Sequence, residues 1–247
     1  CQFSESADKL SFFENEEYIK GEPTEYNGED VGLVARFGTL NSPLVVRCGI
    51  SYVDIEGARN NLASEGTTFD FDCVKNNAVK MWEDAFIGVD VEGTDETDLI
   101  LFYTCLYHTL LDPRTAMDCD GRFALNNKAF TAPDYTHRTV FSGWDVYRSE
   151  FPLLSIIRPS TVRDTVNSLL KVAEEKGTSF PRWEVLGLDS TSMVGDPAAI
   201  VICDAAMKGI EPYDIEKAFR IIKASVLCEK ELDGKPFRSD RPDCKQY

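Results

Sequence analysis

The sequence predicts a mainly α-helical chain with an N-terminal β part. Three observations carry that prediction. Runs rich in β-branched and aromatic residues read as strands at Val31–Phe37 and Leu44–Val53. Apolar stripes at helical spacing recur from residue 57 onward. Helix stops such as Gly177 and Gly209 close those stripes.

Residues 1–30 are polar and acidic, with a short strand expected at Leu10–Phe13. Val31–Phe37 and Leu44–Val53 read as strands, joined through Asn41, Ser42 and Pro43. They resemble the trailing end of a sheet domain, because two or three strands do not fold usefully alone. Gly57–Glu65 reads as a short helix, and Phe69–Phe86 places Val74, Ala78, Met81, Trp82 and Ala85 on one face.

Thr94–Pro113 follows, with Asp95, Glu96 and Asp98 in its first turn, where the helix dipole favours anions. Its interior, Leu99–Leu111, is apolar nearly all round and predicts burial on most sides. Residues 114–140 read as a long loop, with Asp118-Cys119-Asp120-Gly121 as a turn. A helix is then expected from Ser142, kinking or restarting at Pro152. Ser160–Lys176 has a stripe of Val162, Val166, Leu169, Leu170 and Ala173. Thr178–Ser192 reads as a loop, Asp196–Lys208 and Asp214–Glu229 as helices, and Leu232–Tyr247 as neither helix nor strand. Helices buried on most sides mixed with one-sided ones suit two concentric helical layers.

Net charge is -16, from 26 basic and 42 acidic residues. That excludes a nucleic-acid or anionic-membrane surface, which needs clustered Lys and Arg. No apolar run approaches the roughly 20 residues of a membrane span. The eight cysteines show no CxxC spacing and read mostly as core thiols, against a zinc site. His108, in the apolar helix, reads as a core or pocket-floor histidine. Asp118-x-Asp120-Gly121 lacks the remaining positions of a calcium loop.

The stretch Phe141–Arg158 combines Trp144, Asp145 and Arg148 with an apolar segment. An indole beside a carboxylate and a guanidinium suits a sugar ring: apolar C–H face on the indole, hydroxyls on the charges. Taken alone, these residues favour the plainer reading of a capped helix with a surface ion pair.

Longer strings change the balance. GISYVDIEGARNNLASE (49–65), FYTCLYHTLLDP (102–113), DCDGRF (118–123), FSGWDVYRSEFPLLSIIRP (141–159) and WEVLGLDSTSMVGDPAAIVICDAAMKGI (183–210) fall in order. Together they resemble glycoside hydrolase family 92, the calcium-dependent exo-acting α-mannosidases, from about Val45 onward. The resemblance implies a β-sandwich joined through helices to an (α/α)6 toroid: residues 1–56 as the end of the sandwich, 57–93 as a helical linker and 94–247 as the first part of the toroid. It implies an inverting hydrolase releasing terminal α-linked mannose from glycans such as the α-1,2-mannosides of N-glycans. It also implies a Ca2+ cofactor, a mannose-containing glycan as partner, and an extracellular or periplasmic location. Trp144, Asp145 and Arg148 match the family's WD motif, with Arg148 bracing Asp145. Trp183, Asp189 and Met193 match its W-to-M loop, where Leu188-Asp189 replaces a common Asn-Glu and Asp196-Pro197 a frequent Tyr-His. The general acid and base are expected beyond Tyr247, with two carboxyls roughly 6.5–9.5 Å apart, and faces such as Leu99–Leu111 are expected to lie uncovered without later helices. The rival expectation is a non-catalytic carbohydrate-binding or scaffold protein on the same fold.

Overall fold

The computed structural model describes residues 1–21, 23–93, 95–190 and 193–239. The first strands are β1 (Gln2–Phe3), β2 (Lys9–Glu14), β3 (Glu17–Tyr18), β4 (Val31–Arg36) and β5 (Val46–Arg47). They make an antiparallel sheet ordered β3-β2-β4 and a separate antiparallel pair, β1 with β5. The sheet is thin, with Leu33 50% exposed on its outer strand.

The strand expected over Leu44–Val53 shrinks to Val46–Arg47. The reason lies in the next residues. A Cβ on Gly49 would sit 2.3 Å from the Ala58 carbonyl oxygen and 2.7 Å from the Leu62 Cβ. The backbone there packs directly on the following helix instead of continuing a ladder.

That helix, α1 (Ile55–Glu65), is capped by Asp54, which accepts from the Gly57 N–H at 2.6 Å. Then come α2 (Phe71–Phe86), capped by Asp70, and α3 (Glu96–Thr109), capped by Asp95. The proposed first residue of α3, Thr94, lies outside the described residues. No residue of α2 is buried. Its stripe is only partly covered, by Trp82 packing on Tyr107 of α3 with ring centroids 4.5 Å apart.

Helix α3 departs from the expectation of burial on most sides. Leu106 alone is buried, while Ile100 and Leu101 are each 61% exposed. His108 is exposed rather than a core histidine. The cause is geometric: one thin neighbour, α2, covers a helix that is apolar all round. The cysteines also depart: Cys1, Cys48, Cys73, Cys105, Cys119 and Cys203 are exposed thiols, and Cys228 is disulfide-bonded. Cys244 lies outside the described residues.

Residues 114–140 are not a plain loop. They hold β6 (Arg114–Thr115), β7 (Arg122–Leu125), β8 (Lys128–Thr131) and β9 (Arg138–Thr139). Strands β7 and β8 form a hairpin around Asn126 and Asn127, whose φ angles of 50° and 59° suit a tight two-residue turn. Next come β10 (Phe141–Ser142), α4 (Gly143–Val146), α5 (Glu150–Ile157) and α6 (Pro159–Lys176). The restart falls before Pro152, which sits in the first turn of α5, where a missing N–H does no harm. Helix α6 starts with Pro159 at its first position rather than with a Ser160 cap, and ends at Gly177, φ 60°.

The loop expected over Thr178–Ser192 carries a hairpin, β11 (Trp183–Val185) and β12 (Leu188–Asp189). Helices α7 (Pro197–Met207) and α8 (Ile215–Val226) follow, and Asp214 caps α8 by accepting from the Lys217 N–H. A further hairpin follows, β13 (Glu231–Leu232) with β14 (Lys235–Pro236), where no strand was expected.

The main core lies among α5, α6, α7 and α8. Phe151 and Leu154 meet Val166 and Leu169, with Val201, Ile202, Ala218 and Ile221 closing it. Phe141 packs edge-on to Phe151 at 5.5 Å, so the strand leading into α4 is anchored in this core. No described helix is long and apolar enough to cross a membrane.

Candidate carbohydrate site

The site residues sit on a scaffold set by Gly143. A Cβ there would come within 2.6 Å of the Phe141 ring and of Pro197 Cγ, and 2.8 Å from the Arg182 carbonyl oxygen. Only glycine lets α4 lie flush against the start of α7 and the strand entering β11. The Gly143 N–H donates to that Arg182 carbonyl at 3.1 Å.

Antiparallel pairing then brings distant candidates together. Strand β10 pairs with β11 so that Ser142 opposes Trp183 and Phe141 opposes Glu184. Opposed residues share a face, so the Trp183 indole and the Ser142 hydroxyl lie on the same side of the sheet. Ser142 does not cap α4 through its side chain. Its Oγ instead donates to Asp145 Oδ2 at 2.5 Å, fixing that carboxylate at the sheet edge.

Arg148 departs from the expected brace on Asp145. It falls in the turn between α4 and α5, where its Nε donates to the Tyr147 hydroxyl at 2.7 Å. Its guanidinium lies 5.3 Å from the Trp144 ring centroid and 5.2 Å from that of Tyr147. Both rings attract the cation through their faces. Trp144 is 43% exposed and Asp145 is exposed, so the pair forms an open shelf.

Asp189 opposes Glu184 on the hairpin, and its Oδ1 accepts from the Trp183 backbone N–H at 3.1 Å. The Met193 carbonyl accepts from Arg182 Nη1 at 2.5 Å, which holds the end of this loop beside Trp183. Trp144 and Asp145 follow β10, and Trp183 and Asp189 lie on β11 and β12, so the β10–β11 pairing joins segments some forty residues apart in sequence.

Sequence reasoning missed the support beneath. Glu184 is 2% exposed and accepts from the Thr139 hydroxyl at 3.1 Å and the Gly187 N–H at 2.6 Å. Burial pushes its carboxyl pKa up, and these donors pull it back. Thr139 in turn accepts from the Leu186 N–H at 2.6 Å. Leu186 and Gly187 have φ of 49° and 77°, and the Leu-Gly pair two residues beyond the Glu was the available signal for a tight hairpin.

Burial shifts two other titratable groups. Burial, with the charge of Asp112, pushes Glu150 up to about 7. His137 is stacked on Phe123 at 3.8 Å, and burial pulls it down to about 4.

Asp118 and Asp120 form a turn, as expected. The Gly121 N–H donates to the Asp118 carbonyl, and Gly121 has φ 83°. The Asp118 carboxylate accepts from Ser51 Oγ at 2.7 Å and from Asn61 Nδ2 at 2.8 Å. Asp120 pairs with Arg122, which also pairs with Asp54. These carboxylates fasten α1 to the β7–β8 hairpin beside a cavity of about 270 Å3. Among the described residues no group of three or more His, Cys, Asp or Glu could hold a metal ion. No step below runs through a metal.

Solved structures resemble this fold. The family GH92 α-mannosidase BT3965 from Bacteroides thetaiotaomicron matches with a TM-score of 0.75 and 23% identity over 90% of this chain and 31% of that one. The same enzyme in complex with mannoimidazole matches with a TM-score of 0.74 and 24% identity, over 90% and 30%. The family GH92 inverting mannosidase BT2199 from Bacteroides thetaiotaomicron VPI-5482 matches with a TM-score of 0.76 and 22% identity, over 94% and 32%. At these identities the likeness is one of fold, and this chain spans about a third of each relative's length. No curated protein matches the chain. The sequence model of the glycosyl hydrolase family 92 catalytic domain matches residues 57–247, so the chain belongs to glycosyl hydrolase family 92.

Proposed function

We propose that the chain carries part of the sugar-binding surface of an inverting exo-α-mannosidase, acting on terminal α-linked mannose of glycans. In this reading the helices from α3 onward open an (α/α)6 ring. The observation that carries it is the open shelf of Trp144 and Asp145, with Trp183 on the same side of the adjoining strand pair. The family membership and the resemblance to an α-mannosidase solved with mannoimidazole support it.

The geometry supports the following roles. Arg148 approaches one face of the Trp144 indole, leaving the other for the apolar C–H face of a pyranose. The carboxylate of Asp145 accepts sugar hydroxyls while Ser142 holds one of its oxygens. Asp189 ties down the Trp183 backbone, so its part is to position that indole. Glu184, consumed by the hairpin, is no candidate acid or base. The proton-transferring carboxyls belong to the rest of the enzyme in this reading.

Hydroxyl contacts to a charged group are worth about 1.5–3 kcal/mol. Asp145→Ala in the full-length enzyme should therefore lower kcat/KM on α-mannosides by roughly 10- to 100-fold. Wild-type kinetics in that variant would place the mannose elsewhere.

A further inference from the structure

The β1–β5 pair has a feature that sugar binding does not use. Its register opposes Gln2 with Arg47 and Phe3 with Val46. Continued by one position, that register opposes Cys1 with Cys48. The two sulfurs lie 3.2 Å apart, and both residues are exposed. Opposed positions on antiparallel strands bring Cβ atoms within reach of a disulfide. Arg47, next to Cys48, already ties this spot down: its guanidinium donates to Gln2 Oε1 and to the Gly66 carbonyl, and lies 4.1 Å from the Phe69 ring centroid. Cys48 also opens the Cys48–Val53 segment that packs on α1.

We propose that Cys1 and Cys48 are a disulfide-forming pair that locks the first strand to the segment leading into α1, in a protein that works in an oxidising compartment. Disulfides persist where the environment is oxidising, and the disulfide at Cys228 points independently the same way. The reaction balances with a disulfide donor such as oxidised glutathione. One cysteine thiolate attacks a glutathione sulfur and releases one glutathione thiolate. The other cysteine thiolate then attacks the mixed disulfide and releases the second. Two thiols are oxidised, one glutathione disulfide is reduced, and both protons end on glutathione.

The test is peptide mapping of the chain after equilibration with glutathione disulfide, alkylated and digested with trypsin without reduction. Residues 48–59 lie between tryptic sites and Cys1 is on the peptide that ends at Lys9, and the expected product is those two peptides joined. Cys48→Ser should leave Cys1 alkylated, and Cys1→Ser should leave Cys48 alkylated. Against the oxidised wild type, Cys48→Ser should also lower the unfolding midpoint, on the order of 5 °C. Recovery of both peptides singly alkylated from oxidised wild type overturns the proposal. So does Cys48 joined to a different cysteine, or an unchanged midpoint in Cys48→Ser.

Discussion

Helices α2 and α6 show the same kind of amphipathic stripe, yet their fates differ. Helix α6 buries Val162, Val166, Leu169, Leu170 and Ala173 against α5, α7 and α8, and Val172 against Phe123 and Leu125 of β7. Helix α2 buries nothing, leaving Phe71 71% and Met81 72% exposed. The lesson is that periodicity tells which side of a helix seeks cover but not whether cover is present. Stability in this chain is therefore concentrated in its second half, and each substitution below measures how steep that gradient is.

The largest contrast is expected between two phenylalanines. Phe151→Ala should cost about 3–5 kcal/mol in denaturant unfolding, because a 2%-exposed ring leaves a cavity. Phe71→Ala, at the free end of α2, should change stability by less than about 0.5 kcal/mol. Equal losses would abolish the distinction between the two halves.

The next effect lies on the packed side. His137 titrates near 4 when folded, against its ordinary 6.5. Between those values the unfolded chain binds the extra proton, so stability should fall by roughly 3 kcal/mol as the pH drops from 6.5 to 4. His137→Phe keeps a ring to stack on Phe123 and should flatten that part of the pH profile. A slope that survives the substitution would assign the titration to another group.

At the border between the halves, Asp118→Ala removes the acceptor shared by Ser51 and Asn61. A loss of about 1–3 kcal/mol is expected, with faster amide exchange in α1 than in α6. A smaller effect of opposite pH sense belongs to Glu150, raised to about 7 from an ordinary 4.5. Its charge is disfavoured in the folded state, so its unfavourable contribution grows as pH rises from 4.5 to 7. Glu150→Gln should stabilise the protein by about 1 kcal/mol at pH 8, after discounting for partial exposure, and have little effect at pH 4. Stabilisation confined to pH 4 would reverse the assignment.

The long helices were legible because many turns repeat one pattern, and because Asp54, Asp70, Asp95 and Asp214 mark starts with side chains that bond the backbone. The hairpins were not, since strands of two to four residues such as β10 and β11 are too short to display alternation. Their signals were the turn residues: Asn126-Asn127, Leu186-Gly187 and Asp233-Gly234, all with positive φ. Trp144 and Trp183 could each be singled out by type. Their convergence depends on the Ser142–Trp183 register, and the Ser142 bond to Asp145 depends on a turn that sequence spacing does not specify. The exposure of α3 had no local signature, because an all-round apolar helix reads alike whether or not neighbours surround it.

Arg158, at the start of α6, donates to the carbonyls of Asp84, Ala85 and Ile87 around the end of α2. Trp82 and Phe86, whose rings meet Tyr107 and Tyr103 of α3, lie near that same end. Helix α2 is thus held mainly through its C-terminal turns, so its amides should exchange fastest near Phe71 and slowest near Ala85.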